Sequence, residues 1–99
     1  EQVGFLTDLY YDKLPFSKRT FDIVKDIMIL DKTDTSVMRG KTGSSRNEKE
    51  NYSIGWFVGY LENKNNTYIF AANIVSKEKA NGIIAKEITY NILKSIKLM

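Results

Sequence analysis

The 99-residue chain has no cysteine, no histidine and a single proline. Without cysteine there is no disulfide framework, and without cysteine or histidine there is no zinc finger. A catalytic triad built on an imidazole base is excluded for the same reason. Any chemistry in these residues must therefore use lysine, hydroxyl, carboxylate or backbone groups. The lack of cysteine suits exported and cytosolic proteins alike. Nothing here reads as a signal peptide or as a run of about 18 apolar residues, so no segment of the sequence reads as membrane-spanning. Neither sign of charge dominates, since 15 basic and 12 acidic residues leave a net charge of +3. The lysines punctuate helix surfaces and turns. A nucleic-acid binder gathers its lysines and aromatics on one face, so solvation is the better reading and nucleic acid is not an expected partner.

What is present is enough for one domain or part of one, burying about 60 to 70 per cent of its unfolded surface. No repeat, low-complexity tract or linker marks an internal boundary. Residues 1–11 read as a helix, with Val3, Leu6 and Tyr10 at helical spacing, broken by Leu14-Pro15-Phe16. Ser17 is suited to cap a second helix over about residues 18–30, and Phe16 to staple onto Phe21. Phe21, Val24, Ile27 and Met28 form its expected buried stripe. Asp31–Thr35 is turn-like, Val37–Thr42 a short strand, and Gly43–Tyr52 a polar loop. Residues 53–62 and 67–75 read as a hairpin joined by Asn63-Lys64-Asn65-Asn66. The first of these strands is apolar on both faces, which predicts cover on both sides. A last helix runs from Asn81 or Gly82 to about Lys97, with Ile84, Ile88, Ile92 and Ile96 every fourth residue and Lys94 and Lys97 near its end.

Lys41-Thr42-Gly43 is the most informative tripeptide. It offers a cation, a hydroxyl donor and an unobstructed backbone on a strand, the equipment for holding a carboxylate beside a reacting carbonyl. An ordinary solvent-facing strand end would look the same, so the flanks must decide. Ser76-Lys77-Glu78-Lys79 formally fits a Ser-x-x-Lys nucleophile motif, but about one such match is expected by chance. It also falls in a loop, whereas the chemistry needs the serine at a helix start with the lysine one turn away. Trp56 and Tyr60, at period two on a strand, read as core, and Glu62 as a solvated strand end.

Arg39-Gly40-Lys41-Thr42-Gly43, the run Ile54-Gly55-Trp56-Phe57-Val58-Gly59-Tyr60-Leu61-Glu62, and Tyr68-Ile69-Phe70-Ala71-Ala72-Asn73-Ile74 together resemble the C-terminal part of a class D serine β-lactamase. Glu1-Gln2-Val3 and Leu14-Pro15-Phe16-Ser17 fit the same family, so the resemblance covers nearly the whole chain. The sensor domains of membrane β-lactam receptors share these strands, and Ala80-Asn81-Gly82 followed by Ala85 is especially similar to them. The implied fold is α/β in the broad α+β sense, an antiparallel sheet flanked by helices, with residues 1–99 as the C-terminal portion of a β-lactamase and penicillin-binding transpeptidase-like domain.

The resemblance implies a hydrolase that opens β-lactam antibiotics through a serine acyl-enzyme and so confers resistance. The alternative is a penicillin-binding receptor that stays acylated. Leu14-Pro15-Phe16-Ser17 favours the enzyme and carries more weight, because a whole helix that also fits the enzymes follows it. Lys41 would set the field at the nucleophile, Thr42 would bind the substrate carboxylate, and Gly43 would let the ligand pair with the strand. The Ser44 N–H would be one of two oxyanion donors. Many class D enzymes carry an arginine at the position read here as Ala85, leaving Arg46 or Lys86 to take its place. No cofactor or metal is implied. The nucleophile and the carboxylated-lysine base would belong to an N-terminal part of the same protein, so the chain alone is expected to be inactive. The intact protein is expected to be exported.

Overall fold

The computed structural model describes all residues, 1–99. Its elements run α1 (Gln2–Tyr10), α2 (Lys18–Ile27), β1 (Ile29–Lys32), β2 (Ser36–Asn47), β3 (Tyr52–Asn63), β4 (Thr67–Ser76) and α3 (Gly82–Ser95). The strands form one antiparallel four-stranded sheet in the order β1-β2-β3-β4, the expected fold class. β4 is an edge strand whose ten residues carry no charge and no proline. No helix is long and apolar enough to cross a membrane.

The chain divides into two compact units, Glu1–Gly40 with Gly59–Phe70, and Lys41–Val58 with Ala71–Met99. The boundary falls inside β2, β3 and β4, where no linker composition marks it.

In the first unit, Ser17 caps α2 as expected, its hydroxyl accepting the Thr20 N–H at 3.2 Å. The Phe16 and Phe21 rings meet edge-on with centroids 6.1 Å apart, which is the staple. α2 stops at Ile27, earlier than its periodicity suggests, and Ile29–Lys32 becomes a strand paired with Arg39–Val37. The Thr33 hydroxyl makes the turn between them by accepting the N–H groups of Thr35 and Ser36. Only Phe21 of the expected α2 stripe is buried, and Ile27 is exposed. On α1 the buried residues are Leu6 and Leu9, while Val3 faces out.

Met38, Tyr60 and Leu61 are fully buried in this unit. Tyr60 lies edge-on to Tyr10 at 5.2 Å, with the Arg39 guanidinium 5.8 Å from its ring centroid. Its hydroxyl is buried without a hydrogen-bond partner. Burial pushes that hydroxyl up to about 12, against the opposing pull of Arg39. Glu62 is not a solvated strand end, because it forms a half-buried ion pair with Arg39. Arg39 Nε also donates to the Lys25 carbonyl at 3.0 Å. A partner 23 residues away in sequence leaves no local signal.

In the second unit, α3 covers only one face of the sheet. A Cβ on Gly55 would fall inside the Asn81 backbone, and the Phe57 and Tyr90 rings lie 6.1 Å apart. Ser53, Gly55 and Phe57 are buried accordingly. The opposite face carries Ile54, Trp56 and Val58, and Trp56 is 36% exposed. Within this unit the strand is thus covered on one side, and Trp56 is not core. Further along β3, in the first unit, Tyr60 and Leu61 lie on opposite faces and are both fully buried, the expected cover on both sides. The helix also turns differently from expectation. Gly82, Ala85, Thr89 and Leu93 are buried, whereas Ile88, Ile92 and Ile96 are exposed. Close approach to the sheet selects small residues, and that outweighs the isoleucine periodicity.

Candidate functional site

Lys41, Thr42, Gly43 and Ser44 lie in the middle of β2, since the strand runs on to Asn47 instead of giving way to a loop at Gly43. Only the turn Glu48–Asn51 remains of the expected polar excursion. β1 pairs with β2 over Val37–Arg39, and Gly40 N donates to Met28 O at 2.9 Å. Lys41–Asn47 lies beyond the residues β1 pairs, so on that side it runs as an open edge. An open strand edge offers unpaired N–H and C=O groups to an extended ligand.

Alternation along the strand sends the motif's side chains to two faces. A Cβ on Gly43 would stand 3.8 Å from Trp56 Cβ, so Gly43 belongs to the open face, with Lys41 two residues before it. Lys41 is exposed, and its ammonium folds back to donate to the Thr42 carbonyl at 2.6 Å. Thr42 points the other way, onto the start of α3, where its Cβ would lie 2.6 Å from a Cβ built on Gly82. Ser44 shares that face, its hydroxyl accepting the Gly82 N–H at 2.8 Å. Asn81 caps the helix by accepting the Ile84 N–H at 2.9 Å.

Arg46 is held within the β2–β3 hairpin. It donates to Ser53 Oγ at 2.9 Å and to Asn51 Oδ1, and lies 3.4 Å from Glu48. Lys86 Nζ sits 5.5 Å over the Tyr90 ring, in a groove along α3 lined also by Ile83, Glu87, Asn91 and Lys94. Ala85 is 1% exposed, its methyl group packed in the buried face of α3. Ser76 ends β4, and its hydroxyl accepts the Glu78 N–H at 3.1 Å, a turn contact with no helix start. Gly82, expected only as a helix start, is also packed directly against Thr42 and Gly43. The Asn-Gly pair at a helix start was its signal, but only the packing reveals why the glycine is needed.

The site thus offers a lysine ammonium on one face of β2, unpaired backbone groups along its edge, and a threonine packed against the start of α3. Residues 3–94 match the penicillin binding protein transpeptidase domain, and the chain belongs to that family. Within it, the relatives are class D β-lactamases and β-lactam-receptor sensor domains. The methicillin resistance mecR1 protein of Staphylococcus aureus is 39% identical over 100 residues, covering 100% of this chain and 17% of that protein. The C-terminal domain of the Bacillus licheniformis BlaR penicillin-receptor superposes with a TM-score of 0.91 at 35% identity, covering 100% of this chain and 40% of that one. The class D β-lactamase YbXI from Nostoc gives 0.84 at 44% identity, covering 99% of this chain and 40% of that one. The chain therefore spans well under half the length of these relatives.

Proposed function

We propose that the intact protein is acylated by β-lactams and that this chain supplies the substrate-binding strand, Lys41-Thr42-Gly43, of a class D serine β-lactamase. The observation that carries the reading is the open edge of β2 from Lys41 onward, with Lys41 and Gly43 on the uncovered face beside Trp56. The serine hydroxyl, from a part of the domain outside these residues, would attack the lactam carbonyl. The C–N bond then breaks, the ring nitrogen takes a proton, and water later releases the acyl group. Lys41 would stabilise the negative charge near the nucleophile, and the Thr42 hydroxyl would bind the substrate carboxylate. The Ser44 N–H would serve as one oxyanion donor, a role worth about 3 to 4 kcal/mol in comparable sites. Arg46 and Lys86 are secondary candidates for the carboxylate, since each has a structural partner in this chain. The working side of the protein would lie outside the cytoplasm, a reading supported by the similarity to β-lactamases and receptor sensor domains.

A second reading is a receptor that is acylated and stays so. It is favoured by the TM-score of 0.91 to the penicillin-receptor domain and by Ala85. The two readings share acylation and differ in the fate of the acyl group. The test is to mix the intact protein with a penicillin and track the adduct by mass spectrometry alongside hydrolysis of a chromogenic cephalosporin. A transient adduct with turnover supports the enzyme, a persistent adduct without turnover the receptor, and no adduct sinks both. Lys41→Ala is expected to slow acylation strongly while costing about 0.5 kcal/mol or less in stability, because the side chain is exposed. Unchanged acylation with a lowered melting temperature would make Lys41 structural.

A further inference from the structure

The open-edged half of β2 has no strand neighbour on its outer side, yet the site it is proposed to form needs fixed geometry. What holds it is the first turn of α3. The Ser44 hydroxyl accepts the Gly82 N–H at 2.8 Å. Gly82 leaves no room for a side chain, because a Cβ there would lie 2.6 Å from Thr42 Cβ and 2.9 and 3.0 Å from the Gly43 backbone N and O. The helix start is itself anchored on the neighbouring strand, where the Asn81 carbonyl fills the space that a Gly55 side chain would occupy. The Asn81 side chain closes the turn on Ile84 N. The Gly43 N and O and the Asn81 carbonyl in these contacts are backbone atoms, which cannot swing aside as side chains do.

We infer that Gly82 and the Ser44 hydroxyl act together as a positioning clamp, fixing Thr42 for the substrate carboxylate and the Ser44 N–H for the reacting carbonyl. The inference rests on the Lys-Thr-Gly reading above and adds to it a role for two groups that touch no substrate. Ser44 thus has two separable parts, a backbone N–H facing the chemistry and a side chain that holds it there. Misplacing a positioned group by about 1 Å costs up to roughly 100-fold in rate, so loosening the clamp should appear in the acylation step more than in initial binding.

The test uses the intact protein and a fluorescent penicillin, with non-covalent affinity and acylation rate measured separately well below each variant's melting temperature. Ser44→Ala is expected to slow acylation about tenfold while changing the non-covalent affinity less than about threefold. Ser44→Thr keeps the hydroxyl and is expected to recover most of the rate. Gly82→Ala is expected to slow acylation at least as much as Ser44→Ala. Should that variant fail to fold, the Ser44 pair decides alone. Acylation within about twofold of wild type in Ser44→Ala overturns the clamp, as does equal slowing in Ser44→Ala and Ser44→Thr. If Lys41→Ala is slow in the same experiment, the strand's proposed function survives that failure. An intact wild-type protein that forms no adduct removes both.

Discussion

Replacing Tyr60 by phenylalanine takes one oxygen from a fully buried ring whose hydroxyl has no partner. An unpaired buried polar group costs about 1 to 3 kcal/mol. The edge-on contact with Tyr10 and the Arg39 guanidinium near the ring do not depend on the hydroxyl and survive the change. What is lost is the volume of one oxygen, roughly 15 Å³, or about 0.4 kcal/mol at the usual cavity cost. The balance favours phenylalanine by about 1 kcal/mol. For a folded domain of about 250 residues that raises the melting temperature by about 2 °C. Urea unfolding monitored by circular dichroism would measure the difference directly.

The same hydroxyl carries a pH signature. Its native value of about 12 lies above the ordinary 10.0. Between those limits the native state keeps a proton that the unfolded chain releases. Its contribution is therefore complete below pH 10 and is lost as the pH rises toward 12, amounting to at most about 2 to 3 kcal/mol. Tyr60→Phe cannot lose it, so the variant's advantage should widen above pH 10. A phenylalanine variant less stable than wild type at neutral pH would refute the reasoning. So would two alkaline unfolding curves that run parallel.

Two further substitutions probe one packing element inside each unit. Phe57→Ala empties a fully buried site and is expected to cost about 3 to 5 kcal/mol, read as a lowered urea midpoint; a loss under about 1 kcal/mol would mean that the site collapses freely. Ser17→Ala removes the α2 cap and is expected to cost about 1 kcal/mol, with Ser17→Asp restoring most of it; an alanine variant as stable as wild type would leave the cap without energetic weight.

What could be read from the sequence was local. The Ser17 cap and its Phe16–Phe21 staple lie within five residues, and the hairpin after Asn63 is written in its own turn, where the Asn63 side chain accepts the N–H groups of Asn65 and Asn66. What could not be read was set by partners far away in sequence. Ile29 and Leu30 continue a helical period, yet pairing with Arg39–Val37 takes this stretch for the sheet. Glu62 looks solvated until Arg39 is placed beside it. The α3 isoleucines suggest a buried stripe, but the sheet accepts only the face carrying Gly82, Ala85 and Thr89. At the candidate site the tripeptide was legible as chemistry. The division of its side chains between two faces, and the helix start pressed against one of them, were not.

The uncharged β4 edge has a practical consequence for anyone isolating these residues. Ten successive positions offer neither a repelling charge nor a proline to stop a second strand from adding on. Solutions of the 99-residue peptide should therefore grow more associated as they are concentrated, and spectra taken at high concentration would report assemblies. A lysine introduced at exposed Asn73 or Val75 is the least invasive way to keep such a sample dispersed.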